Sequence, residues 1–124
     1  MAEERALDEF IREYAPSDAE RDYLLSPRDF HNAKSLLKAA YLHADAEKML
    51  APEGLIPVRE LSEAVSAGDF SRLGKELGAA LEEGAAALEQ GGASGAEIGG
   101  IFERAMFRHL AAAVSRNGVL KKLL

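Results

Sequence analysis

The sequence predicts an all-α protein, a compact domain of about six helices. Apolar residues recur at spacings of three and four, which is the period of an amphipathic helix. Capping residues and Gly or Pro breaks separate these stretches. No alternation of apolar and polar residues is long enough to indicate a strand. The 124 residues are expected to form a single domain, 1–124.

The first two helices are predicted at 3–14 and 18–25. Apolar residues at helical spacing support the first of them: Leu7, Phe10, Ile11 and Tyr14. Pro16 interrupts this helix, and Ser17 with Glu20 forms a capping box that opens the second one.

The third helix is predicted at 27–43. Ser26 is expected to be its N-cap, with Pro27 at the first helical position, where a missing N–H costs nothing. Most of its apolar residues share one face, and Asp29 and Asn32 project toward that same face.

Two further helices are predicted at 58–67 and 70–89. Pro57 begins the first of them and Gly68 ends it, while Asp69 is expected to cap the second. Three glycines inside the second segment weaken it and allow a bend: Gly74, Gly78 and Gly84. The spacing of Gly74 and Gly78 indicates close helix packing.

The last helix is predicted at 95–117, where Ser94 and Glu97 form a capping box. The final residues, "VLKKLL", resemble the start of another helix that is cut within the element. The chain is therefore expected to be a fragment of a longer protein.

The composition excludes several classes of protein. A formal net charge of −6 argues against general affinity for nucleic acid, and the absence of cysteine rules out disulfides and thiolate sites. No apolar run approaches the ~18 residues that a membrane span needs. The start, "MAEERALDEF", is unlike a secretory signal. These features predict a soluble intracellular chain, whose relation to a membrane, if it has one, passes through partners.

No pattern indicates a catalytic, cofactor or metal site. The glycine-rich stretch 91–100 lacks the preceding strand and the Gly-Lys-Ser/Thr ending of a phosphate loop. The three histidines do not occur at metal-binding spacing: His31, His43 and His109. His109 falls in the apolar arc of its helix and is expected to be a hydrogen-bonded core histidine. No cofactor and no nucleotide binding is therefore expected.

Asp29 and Asn32 are best explained as structural residues. The Asp29 carboxylate, placed in the first helical turn, can meet free backbone N–H groups and reach back toward Ser26. A buried Asn32 amide must find partners, and capping a neighbouring helix end or loop would satisfy it. Lys34 and Lys38 lie on the opposite side, free for solvent or a partner protein.

The stretch "DFHNAKSLLKA", 29–39, resembles the signature of the V-type ATP synthase C-subunit family, whose eukaryotic counterpart is the d subunit of the vacuolar ATPase. The signature reads Asp-aromatic-x-Asn-aliphatic-Lys-x-x-aliphatic-Lys/Arg. It is matched here by Asp29, Phe30, Asn32, Lys34 and Lys38. Ala33 departs from the larger aliphatic residue that is usual in the family. The second Asp-x-x-Asn unit expected downstream is absent, which agrees with a fragment.

The resemblance implies that the domain is one unit of a repeated helical architecture. It also implies a non-catalytic socket subunit on the rotor of a V-type ATPase, in the cytoplasm at the membrane periphery. Such a subunit links the central stalk to the membrane proteolipid ring and couples ATP hydrolysis or synthesis to proton or sodium transport. Asp29 and Asn32 would hold the unit together, and Lys34 and Lys38 are candidate partner contacts. Apolar patches left by missing units would favour weak self-association. The alternatives are a generic acidic interaction module and, third, a small helical hydrolase.

Overall fold

The computed structural model describes residues 18–43 and 45–116, and this part of the chain is all-α. It contains four α-helices, which are α1 (Asp18–Leu42), α2 (Val58–Ala67), α3 (Lys75–Gln90) and α4 (Gly95–Arg116). A 3₁₀ turn, Ala46–Lys48, follows α1, and these two ranges contain no strand. The all-α class is confirmed, whereas the count of about six helices is not. The helix predicted at 3–14 and the "VLKKLL" segment lie outside the described residues.

The helices predicted separately at 18–25 and 27–43 are one continuous helix, α1, with Pro27 inside it. The assignment of Ser26 as N-cap and Pro27 as first helical residue is therefore wrong. Proline in a helix interior removes one backbone hydrogen bond and costs about 3 kcal/mol. Residues on the C-terminal side of Pro27 are buried against the other helices, and this packing offsets the cost.

Helix α2 has the bounds that the sequence predicts. Gly68 adopts a left-handed conformation, with φ of 70°, and its N–H donates to the carbonyls of Ala64 and Val65. At the other end, the Glu53 carboxylate accepts the N–H of Val58 at 3.0 Å. Both ends are fixed by local signals, which is why the prediction is correct here.

Helix α3 begins at Lys75, five residues later than predicted. The Asp69 carboxylate accepts hydrogen bonds from the N–H and the hydroxyl of Ser71, and so forms a turn instead of capping a helix. Gly74, with φ of 91°, then redirects the chain into α3. Gly74 therefore precedes the helix, and a side chain there would have no neighbour within 4 Å. Its predicted packing role is wrong.

Gly78 and Gly84 lie inside α3 and allow close packing. A Cβ atom on Gly78 would lie 2.9 Å from the carbonyl oxygen of Phe70. A Cβ atom on Gly84 would lie 2.8 Å from Leu37 Cδ2 and 3.3 Å from Phe102 Cε2. The packing role predicted for Gly78 is confirmed, and α3 is continuous through both glycines.

Helix α4 starts where the sequence predicts, because the Ser94 hydroxyl accepts the N–H of Glu97 at 3.1 Å. All four helices contribute to one apolar core. Its buried members are Phe30, Ala33, Leu37, Leu61, Phe70, Leu77, Ala80, Leu81, Ala85, Ile98, Ile101, Phe102 and Ala105. Helix α1 packs against the other three helices and is therefore the central helix of the fold.

Candidate functional site

Asn32, at the middle of α1, is fully buried and forms a two-point pairing with one residue of the following loop. Its Oδ1 accepts the N–H of Ala51 at 2.8 Å, and its Nδ2 donates to the Ala51 carbonyl at 3.3 Å. The amide thus satisfies both backbone groups of Ala51 as a neighbouring strand would. The predicted pairing of Asn32 with backbone groups of a neighbouring segment is confirmed.

Asp29 lies one turn earlier on α1 and binds the same loop further along. Its Oδ1 accepts the N–H of Ile56 at 3.0 Å, and its Oδ2 lies 3.3 Å from the backbone nitrogen of Leu55. Because α1 begins at Asp18, Asp29 is not in a first helical turn as predicted, and its carboxylate meets the N–H groups of a loop. The hydroxyl of Ser26 has no hydrogen-bond partner in the described part of the chain.

Three more side chains of α1 bond to carbonyls of this loop. His31 Nε2 donates to Met49 O at 2.6 Å, Ser35 Oγ donates to the same oxygen at 3.4 Å, and Arg28 donates to Glu53 O at 3.4 Å. We call the five side chains together the polar clamp: Arg28, Asp29, His31, Asn32 and Ser35. Arg28, His31 and Ser35 were not predicted to act here, although their spacing from Asp29 and Asn32 places all five residues on one helix face.

Burial raises the pKa of Asp29 to about 6, from an ordinary value of 3.8. Desolvation of the carboxylate is the largest cause, and the negative charge of Asp22 adds to it. The two hydrogen bonds from Ile56 and Leu55, and the nearby His109, act in the opposite direction. Desolvation prevails, so the folded protein binds a proton at Asp29 more tightly than the unfolded chain does.

A raised carboxyl pKa gives stability an unusual pH dependence. Between pH 4 and about 6 the folded state holds the Asp29 proton and the unfolded state has lost it, so this contribution to unfolding free energy falls as pH rises. We expect wild type to lose more stability across this window than Asp29→Asn does. Urea titrations of both proteins at several pH values measure the difference, and parallel curves would contradict the prediction.

The remaining residues of the 29–39 motif occupy two different environments. Phe30 is 4% exposed and belongs to the core. Lys34 is half-buried and lines a groove of about 450 Å³ between α1 and α4, together with Phe102 and Met106. Lys38 is also half-buried, beside Gly95 at the start of α4. The predicted free exposure of both lysines is therefore wrong.

The two lysines are close enough to affect each other. Desolvation lowers the pKa of Lys38, and the positive charge of Lys34 lowers it further. Both lysines are partly buried, which is common for long cationic side chains at a surface groove. Partner binding through Lys34 and Lys38 stays a prediction.

His109 connects three helices. Its Nε2 lies 3.2 and 3.3 Å from the two carboxylate oxygens of Asp22 on α1, and its Nδ1 lies 3.6 Å from Glu76 Oε2 on α3. Its ring is 5.7 Å from that of Phe30. The predicted hydrogen-bonded histidine is therefore present, but it is partly exposed and its partners are carboxylates.

A family comparison shows what this helical unit belongs to. A sequence model of the family described as "ATP synthase (C/AC39) subunit" matches residues 5–124. The chain belongs to this family. No curated protein and no solved structure matches the chain significantly. The resemblance noted on residues 29–39 is confirmed at the level of the family, which is a family of V-type ATP synthase subunits.

In this member of the C/AC39 family, the residues of the 29–39 motif lie on different faces of α1. Asp29 and Asn32 belong to the polar clamp and Phe30 to the core, whereas Lys34 and Lys38 lie beside α4. Within 18–43 and 45–116, no cluster of three or more His, Cys, Asp or Glu side chains is placed to bind a metal ion. No helix in the same ranges is long and apolar enough to cross a membrane.

Proposed function

We propose that this chain is one helical unit of a non-catalytic socket subunit on the rotor of a V-type ATPase. The observation that carries the proposal is the family match, which extends over residues 5–124. In this role the subunit links the central stalk to the membrane proteolipid ring. It thereby couples ATP hydrolysis or synthesis to proton or sodium transport, and it lies in the cytoplasm at the membrane periphery.

The internal contacts of the unit are consistent with a mechanical role. A part that transmits torque needs helices whose relative positions are fixed, and the polar clamp fixes the loop 49–56 on α1 through five side chains. The side-chain polar atoms of Asp29 and Asn32 are engaged in hydrogen bonds with the loop backbone, so they serve a structural role. This arrangement favours a structural subunit over an enzyme that uses the same residues.

The partner surface in this proposal includes Lys34 and Lys38. Lys34 lies in the groove between α1 and α4 with exposed Glu103 at its border, and Lys38 lies at the start of α4. We expect an acidic or polar segment of a neighbouring protein to contact the two ammonium groups. The isolated chain, which we regard as a fragment of a longer protein, is also expected to self-associate weakly through its exposed apolar residues.

The test is co-purification of the full-length parent protein from cells in which the ATPase assembles. We expect the central-stalk and proteolipid-ring proteins to be recovered with it, and Lys34→Gln with Lys38→Gln to reduce their recovery. Lys48→Gln with Lys75→Gln is the matched control, because it removes two exposed lysines of the same chain. Failure of the parent to recover either partner would reject the rotor role and favour a generic acidic interaction module.

A further inference from the structure

The contacts of His109 with two carboxylates lie beyond the part of α4 that belongs to the main apolar cluster. Among the described residues, the α4 members of the core cluster run from Ile98 to Met106, with Met106 only partly buried. His109 follows one turn later and contacts α1 through Asp22 and α3 through Glu76. Phe107 beside it is 57% exposed, whereas Ala113, one turn further on, is buried, so both apolar packing and the contacts of His109 hold this part of α4.

The two contacts of His109 place a carboxylate against each ring nitrogen. A neutral imidazole has one N–H donor and one lone pair, so it can donate to only one of the two carboxylates and repels the other. The imidazolium has two N–H donors, so it can donate to Asp22 and at the same time attract the Glu76 carboxylate, which lies 3.6 Å from Nδ1. The attraction of His109 to Asp22 and Glu76 together therefore requires the protonated ring.

Within the described ranges, the cavity that His109 borders holds no second cation that could replace this charge. His109, Asp22 and Glu76 line this cavity of about 130 Å³, whose other polar lining residues are Ser26 and Asp29. The loop contributes only Leu55 and Ile56 to it. Every other ionisable group that lines this cavity, Asp22 and Asp29 from α1 and Glu76 from α3, is thus a carboxylate.

We propose that His109, Asp22 and Glu76 form a pH-sensitive latch that fastens the C-terminal half of α4 to α1 and α3. With His109 protonated, the imidazolium bridges the two carboxylates and the latch is closed. When His109 loses its proton, one ring nitrogen presents a lone pair to a carboxylate, and the C-terminal half of α4 is held less firmly. The latch is a property of this chain and does not depend on the proposed rotor assembly.

Amide hydrogen exchange of the 124-residue chain, measured together with the NMR signals of the His109 ring, tests the latch. We expect protection factors in residues 106–116 to fall roughly two- to fivefold as the ring signals report deprotonation, the range that one partly exposed ion pair produces. Protection in α2, which does not contact His109, serves as the internal reference. Protection factors in residues 106–116 that do not change with the protonation state of His109 would overturn the proposal.

Variants separate the latch from other titrating groups. In His109→Gln the pH-dependent part of α4 protection should disappear, and in Glu76→Gln, which keeps the histidine, it should be smaller. His43→Asn is the control, because it removes an exposed histidine at a positive φ of 54° that asparagine tolerates. Wild-type pH dependence in both His109→Gln and Glu76→Gln would assign the effect to another group, such as Asp29, and reject the latch.

Discussion

Replacing Asn32 with leucine is expected to lower the free energy of unfolding by about 1–3 kcal/mol. Leucine has the same branching and the same number of side-chain heavy atoms as asparagine, but it removes the acceptor and the donor that pair with Ala51. The N–H and the carbonyl of Ala51 would then lose their partner in a partly buried loop. The position is fully buried, and apolar packing of the leucine side chain there cannot replace the hydrogen bonds that fix the loop.

Urea denaturation followed by circular dichroism at about 222 nm, where helices absorb, measures this change. Arg21→Leu is the matched control, since it introduces the same side chain at an exposed position of α1 and should alter stability by less than about 0.5 kcal/mol. Similar small effects in both variants would mean that the Asn32 pairing contributes nothing to folding. A loss of unfolding free energy in Asn32→Leu alone would show that this motif residue stabilises the fold.

Elements whose ends are fixed by short-range contacts were predictable from sequence. The bounds of α2 depend on Gly68, which bonds only three and four residues back, and the start of α4 depends on Ser94, which bonds three residues ahead. Such signals are legible in the sequence because both partners lie within one helical turn. The predicted bounds of α2 and the predicted start of α4 are correct.

Elements decided by long-range packing were not predictable in the same way. Ser26 and Pro27 form a convincing helix start in sequence, yet burial of the residues that follow them keeps α1 continuous. Asp69 is a good N-cap in isolation, but it bonds to Ser71 and delays α3. In both cases the local sequence favoured a helix start, and contacts elsewhere in the structure determined a different one.

The structural role of the polar clamp was predictable from the sequence, but the residues to which it bonds were not. An amide and an acid on the apolar face of a helix must be paired, so a role in fixing a neighbouring segment followed from Asn32 and Asp29 alone. Their partners are 19 to 27 residues away, beyond what periodicity can specify. The contact of His109 with Asp22 joins residues 87 apart, and nothing in the local sequence indicates it.

The largest effect is expected for Gly54→Ala, in the loop that the polar clamp holds. A Cβ atom at this position would lie 2.6 Å from Asp29 Oδ1, 2.6 Å from the carbonyl oxygen of Leu25 and 3.1 Å from Arg28 Cβ. The Leu25 carbonyl is part of the α1 backbone and Asp29 is held by its own hydrogen bonds, so neither atom can move without cost. Relief requires the loop to withdraw from α1.

Withdrawal of the loop would lengthen the hydrogen bonds that Asp29 accepts from Leu55 and Ile56. We therefore expect Gly54→Ala to lower the free energy of unfolding by about 3 kcal/mol, the upper part of the range for overpacking. The amide NMR signals of Leu55 and Ile56 should shift in the same variant.

Gly99→Ala is the control, because a Cβ atom added to Gly99 in α4 would meet no atom within 4 Å. Alanine at that helical site should be neutral or stabilise by about 0.5–1 kcal/mol. If Gly54→Ala behaved like Gly99→Ala and left both amide signals in place, close contact between this loop and α1 would not contribute to the stability of the unit.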